Sequence, residues 1–214
     1  MEPPRNEQAP NPAVRRLSLY LRQFEAFERA GQATVSSKQL GDSLALTDAQ
    51  VRKDLAYFGQ FGKAGLGYQC AEMTARLRAI LGTDRVWPVA LVGAGNLGLA
   101  LAAYRGFERR GFRLVALFDV DPGKIGGKHA GLTIQPMDEL PATVAREQIR
   151  LAMLAVPVDA AQRVAEQLVA AGVRGIVNFA PVALTLPREI SVSTVDLAEQ
   201  LEQLAFAVST QPPR

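Results

Sequence analysis

Three glycines and one carboxylate carry the first chemistry legible in this chain. Gly93, Gly95 and Gly98 stand at GxGxxG spacing within VALVGAGNLG, Val89 to Gly98. Gly93 permits a tight turn, Gly95 lets a pyrophosphate approach the backbone, and Gly98 lets the next helix pack on the strand. Ala94, Asn96 and Leu97 complete the candidate loop, with the helix N-terminus facing the phosphates. Asp119 lies about twenty residues beyond Gly98, where a carboxylate takes the adenosine ribose hydroxyls. An acid there favours NAD(H) and repels the 2′-phosphate of NADP(H). The plain alternative is a glycine turn in a sheet protein that binds nothing.

Those residues need strands and helices to hold them. Val89 to Val92 runs without a polar break, as a strand buried on both faces does, and Leu97 to Tyr104 reads as the helix behind the loop. Leu114 to Phe118 is a second strand ending in Asp119; Leu151 to Val156, ending in Pro157, and Gly175 to Phe179 are two more. Between the last two, Asp159 caps a helix that stops at Gly172. Alternating strands and helices make an α/β, doubly wound parallel sheet of Rossmann type, whose ligands bind at the carboxyl ends of the strands. Gly93 to Gly98, Asp119, Val156, Pro157 and Asn178 to Pro181 should therefore line one cleft. Catalysis beside a nicotinamide needs an acid or base, commonly His, Lys or a Tyr with a nearby Lys. Tyr104 has Glu108 four residues on, Asn178 cannot move a proton in the required sense, and His129 reads as a surface residue in a glycine-rich loop. The expectation is binding without turnover, hence no enzyme. The rivals are an NAD-dependent oxidoreductase and a CoA- or other nucleotide-binding regulatory module, each with an appended helical domain.

Ahead of the sheet the period changes. From Pro12, Val14, Leu17, Leu21 and Phe24 recur at helical spacing until Gly31, leaving Arg15, Arg22 and Arg29 on the other face. Ser36 or Ser37 opens a short helix. Thr47 opens another and, with Gln50, has capping-box spacing. Val51, Leu55 and Phe58 bury one face of it, so Gln50, Arg52, Lys53 and Tyr57 point elsewhere, as the second helix of a helix-turn-helix requires for reading a major groove. FGQFGKAGLGY, Phe58 to Tyr68, has four glycines and reads as a tight hairpin, the wing of a winged helix, with Lys63 placed for a phosphate or the minor groove. An ordinary three-helix bundle with a solvated basic face is the alternative. A further helix spans Ala71 to Leu81.

The bounds agree. The 214 residues are 48% hydrophobic and 21% charged, enough to bury a core, and no apolar run reaches membrane-spanning length. Residues 1–12 read as a disordered leader with no signal peptide, residues 13–84 as the winged-helix domain, 85–195 as the NAD(H)-binding domain and 196–214 as a C-terminal helix and tail. A single cysteine, Cys70, excludes an intramolecular disulfide and fits a cytoplasmic protein. Met1 to Arg85 holds twelve Lys and Arg against nine Asp and Glu, and the remainder twelve against twelve. The whole excess of +3 thus sits in the segment expected to meet nucleic acid. Leu197, Leu201, Leu204, Ala205 and Val208 share a helical face that either packs on its own domain or lies across a partner.

The combination resembles the Rex family of redox-sensing transcriptional repressors, from about Val14 to Val208. The most specific stretches are QVRKDLAYFGQFGKAGLGY (Gln50 to Tyr68), GAGNLG with Tyr104, FDVDP (Phe118 to Pro122), NFAP (Asn178 to Pro181), and Val195 with Asp196. The resemblance implies a homodimer with its C-terminal helices exchanged, double-stranded palindromic operator DNA as partner, and release of that DNA when NADH binds. It also implies that Arg22 pairs across subunits with Asp196 in the DNA-bound form, and that Tyr104 takes over Asp196 when NADH is bound. Leu197 departs from the pattern, since many relatives carry Phe there.

Overall fold

The computed structural model describes residues 11–62 and 65–210 and divides into two compact units, the first ending at Arg85 and the second beginning at Val86. Lys63, within the expected wing, lies outside the described residues.

The first unit is helical. It comprises α1 (Asn11–Arg29), a two-residue strand β1 (Thr34–Val35), α2 (Ser37–Ser43), α3 (Asp48–Ala56), β2 (Tyr68–Gln69) and α4 (Cys70–Leu81). Helix α1 begins at Asn11, inside the stretch expected to be a leader. Its buried stripe is Ala13, Leu17, Tyr20, Leu21 and Phe24, while Val14 is 39% exposed. The expected stripe was therefore one residue out at its start, because Ala13 rather than Val14 continues the 3.6-residue period back from Leu17. Leu40, Val51, Leu55, Met73 and Leu77 close the core from α2, α3 and α4. Ser36 caps α2 in a reciprocal capping box with Gln39. Thr47 caps α3 by accepting the Gln50 N–H, but the Gln50 side chain does not complete a box and turns to Asp54 instead. The glycine-rich stretch between α3 and β2 has φ of +134°, +74°, +80° and +76° at Gly59, Gly62, Gly65 and Gly67, which excludes a helix there. Strand β2, which closes that stretch, pairs antiparallel with β1.

The second unit is a seven-stranded sheet. Its elements are β3 (Trp87–Val92), α5 (Asn96–Ala103), β4 (Phe112–Asp119), β5 (Lys128–His129), β6 (Leu132–Pro136), α6 (Leu140–Arg146), β7 (Leu151–Leu154), α7 (Val158–Ala170), β8 (Gly175–Asn178), β9 (Ser191–Thr194) and α8 (Leu197–Ser209). The strand order is β5-β6-β4-β3-β7-β8-β9. Apart from the antiparallel β5 at one edge, every neighbouring pair is parallel. Starting at the central β3, the chain winds outward through β4 and β6, then returns to the other side through β7, β8 and β9. This is the doubly wound Rossmann order, with its switch point between β3 and β7. Both faces of the central strands are buried, by Ala90 and Val92 on one side and Val89 and Leu91 on the other. Strands β5, β6 and β9 had no clear signature in the sequence. Helix α8 has no buried residue, and Leu197, Leu201, Leu204, Phe206 and Val208 are each more than 60% exposed. Its apolar face therefore does not pack within its own unit.

Candidate functional site

At the end of β3 the chain turns at Gly93, whose φ of +104° suits glycine alone. A Cβ on Gly93 would lie 2.2 Å from the Ala155 carbonyl oxygen and 3.2 Å from Cγ1 of Val156, so the ends of β3 and β7 approach too closely for a side chain. On Gly98 a Cβ would sit 1.8 Å from the Gly93 oxygen, which is what seats α5 against the turn. Gly95 differs, because a Cβ there would meet nothing within 4 Å. It is the N-cap of α5, which has no side-chain cap and no acid in its first turn. The positive end of the helix and the amides of Gly95, Asn96 and Leu97 thus face open space above a glycine. A pyrophosphate fits that arrangement.

Asp119 is 8% exposed at the end of β4. Its Oδ2 accepts the Ala94 N–H at 2.7 Å and its Oδ1 accepts the Asp121 N–H at 2.9 Å. Lys124 Nζ lies 3.4 Å from Oδ2. Burial alone would raise the Asp119 pKa. The Asp121 and Ala94 amides and the Lys124 charge outweigh it, holding the carboxyl below its ordinary range and ionised at neutral pH. The acid therefore braces the glycine loop, and each of its oxygens retains acceptor capacity for a hydroxyl.

Val156 lies beside Gly93, and Pro157 is the N-cap of α7, so Asp159, expected to cap that helix, instead lies in its first turn, where an acid complements the helix dipole. The Asn178 side chain, wholly buried, faces its own loop. Its amide donates to the Ala180 and Val182 carbonyls at 3.0 and 2.8 Å, and its oxygen accepts the Ala180 N–H at 3.0 Å. It shapes the NFAP turn and offers no side-chain atom to the cleft. Sequence reasoning missed Lys124 and the apolar Val120 and Val158, which are 65% and 49% exposed, the first directly after β4 and the second at the start of α7. A single exposed valine in a strand-to-helix connection or at a helix start carries no motif, whereas DPGK did carry a signal for Lys124. His129 is half-buried and bonds the Leu99 carbonyl at 2.8 Å, pinning β5 to α5 away from the strand ends.

Tyr104 follows α5, 61% exposed, with its ring edge-on to Phe107 at 5.0 Å. A Cβ on Gly106 would meet that ring at 2.3 Å, so Gly106 and Phe107 fix where the phenol stands. Asp196 is the N-cap of α8, its Oδ1 accepting the Ala198 and Glu199 amides at 2.9 and 3.3 Å. Arg22 is exposed on α1.

In the first unit, α3 buries Val51, Asp54 and Leu55 and exposes Arg52 and Lys53. The Arg52 guanidinium bonds Asp48 at 2.7 Å and the Ser37 hydroxyl at 3.0 Å, bridging α3 to the start of α2. Tyr57 caps the C-terminal end of α3, half-buried. Beneath them lies a network the sequence reading did not foresee. Asp54, 1% exposed, accepts from Arg16 Nε at 2.5 Å and Nη2 at 2.8 Å, from the Tyr20 hydroxyl at 2.6 Å and from Gln50 Nε2 at 2.7 Å. Burial would raise its pKa, and these donors together hold it below the ordinary carboxylate value. The Tyr20 hydroxyl is pushed well up, by burial first and by Asp54 second.

Fold and site together define a Rossmann protein with a helical, winged-helix-type unit before it. Residues 84–182 match the family described as "CoA binding domain", and residues 8–56 match "Putative DNA-binding protein N-terminus". The chain is 45% identical to the redox-sensing transcriptional repressor Rex of Pelotomaculum thermopropionicum over 92% of either chain. Among solved structures, RSP in complex with NAD+ and operator DNA superposes with a TM-score of 0.88 at 34% identity, over 92% of this chain and 91% of that one. RSP in complex with NADH superposes at 0.85 and 32% identity, over 94% and 95%. The chain belongs to the Rex family of redox-sensing transcriptional repressors.

Proposed function

We propose that the protein is a cytoplasmic homodimeric repressor that holds palindromic operator DNA and releases it when NADH binds, without turning the dinucleotide over. The observation that carries the reading is the open Gly95 cradle braced by Asp119 on one unit, joined in one chain to the capped, basic-faced α3 on the other. The loop from Gly93 to Gly98 would hold the pyrophosphate and Asp119 the adenosine ribose. Val156, Pro157 and the Asn178-shaped turn would border the nicotinamide half, with Val120 and Val158 supplying apolar cover. NAD+ and NADH differ at the nicotinamide by one positive charge and by ring shape, so discrimination belongs to groups near that ring. Gln50, Arg52, Lys53, Tyr57 and Lys63 would meet DNA. The exposed apolar face of α8 would be covered by a second copy of the chain, and Arg22, Tyr104 and Asp196 would couple the two sites.

The match to a CoA-binding family makes CoA the natural competitor. CoA carries a phosphate on its adenosine ribose, and Asp119, ionised and already holding two amides, repels a phosphate at that position. The deciding experiment titrates NADH against a fixed NAD+ background while following release from a palindromic duplex, with CoA as a parallel competitor. Release by NADH alone supports the reading. Equal DNA binding in both oxidation states, or displacement of NADH by CoA, overturns it.

A further inference from the structure

An acid fully buried in the core face of a nine-residue helix needs a reason, since an apolar residue of similar size would pack there at no desolvation cost. Asp54 gathers Arg16 and Tyr20 of α1 and Gln50 of α3 on one carboxylate. A carboxylate offers only acceptors, so the Gln50 amide turned toward it presents its NH2 group. That settles which end of Gln50 faces which way on chemical grounds. The oxygen is left without a partner among the described residues, and it is not among the buried polar atoms lacking one, so it is open to solvent. Gln50 lies in the first turn of α3, the part of a reading helix that meets base edges.

We propose that Asp54 is a positioning residue for base selection: it holds the Gln50 amide with its oxygen outward, so that Gln50 selects a base bearing an exocyclic amine in the major groove. Adenine N6 and cytosine N4 donate to such an oxygen, whereas guanine O6 and thymine O4 oppose it with a second acceptor. One Nε2 hydrogen goes to Asp54 and the other remains for adenine N7, which makes adenine the best match. The proposal rests on the DNA-reading assignment above, and its test separates the two.

The full-length protein is used to select an operator from randomised palindromic duplexes. In that operator each adenine is then replaced by purine and each cytosine by 2-pyrimidinone, which removes the amine alone. At one position per half-site the loss should weaken binding by about tenfold. Gln50→Ala should abolish that dependence while the other positions keep theirs. Asp54→Asn, whose amide can donate to the Gln50 oxygen and let it turn over, should erase the preference at the same position. A purely structural role would lower affinity for every duplex together. Tyr20→Phe, which keeps the carboxylate, should retain the preference even where stability falls. Amine dependence unchanged in Gln50→Ala overturns the proposal, and so does a wild-type preference in Asp54→Asn. Should Asp54→Asn not fold, the Gln50→Ala and Tyr20→Phe duplex ratios decide. Selection of no duplex at all overturns the DNA-reading assignment, and the orientation with it.

Discussion

Alanine at Gly98 would place a Cβ 1.8 Å from the Gly93 oxygen, whereas at Gly95 it would enter open space. The two substitutions should therefore fail differently. Gly98→Ala should cost about 3 kcal/mol or more of stability in a urea titration, because backbone must move. Gly95→Ala should change stability by no more than about 1 kcal/mol, yet abolish dinucleotide binding in calorimetry. The three glycine positions were legible because each has a distinct steric duty at fixed spacing. The Asp54 network was not, since an acid at a core position of α3 reads in sequence as one more charge on a polar helix. Its pH signature follows from sign. Asp54 titrates below its ordinary value of 3.8 in the fold, so its contribution is complete above that value and is lost as pH falls through the folded pKa. Asp119 acts in the same direction in the second unit. Unfolding midpoints should drop as the solution is taken below about pH 4, and Asp54→Asn should flatten part of that slope.

Among the elements, α3 was legible from its Thr47 cap and its period, α5 from the glycine turn before it, α7 from the Gly172 stop though not from a cap, and β3, β4, β7 and β8 from unbroken apolar runs. Strand β9 was not, because all four of its residues are exposed and SVST shows no alternation of apolar and polar. The basic face of α3 has two kinds of cation. Arg52 is engaged with Asp48 and Ser37, while Lys53 makes no hydrogen bond or ion pair among the described residues. Lys53→Ala should weaken binding to all duplexes alike and reduce the salt slope by about one. Arg52→Ala should in addition loosen the α2–α3 junction, and gel shifts over a salt series distinguish the two. On α8, Leu204→Asp should leave the second unit folded, since the residue is 61% exposed, and shift the protein toward monomer in sedimentation.

At the scale of the molecule, release of DNA by NADH obliges DNA to weaken NADH binding by the same factor. Turning occupancy fully over requires a differential affinity of about 5 kcal/mol between the two states. Calorimetry of NADH with and without operator should return that reciprocal factor. Asp196→Asn is a cleaner probe of the coupling than Asp196→Ala. The amide keeps the α8 cap while removing the charge, whereas alanine also loses a cap worth about 1 kcal/mol. Asp196→Asn should bind the duplex more weakly without NADH, since the amide gives up the charge paired with Arg22 yet still accepts from the Tyr104 hydroxyl, and NADH should then change its affinity for the duplex less than it changes the wild type's.

That cap has a further use. A rearrangement that turns Oδ1 of Asp196 away from the cap and onto an arginine strips the Ala198 and Glu199 amides of their acceptor. Deuterium uptake at those two positions should then rise and fall with the conformation, so the first turn of the last helix carries its own gauge of the state, readable without a label or an added dye.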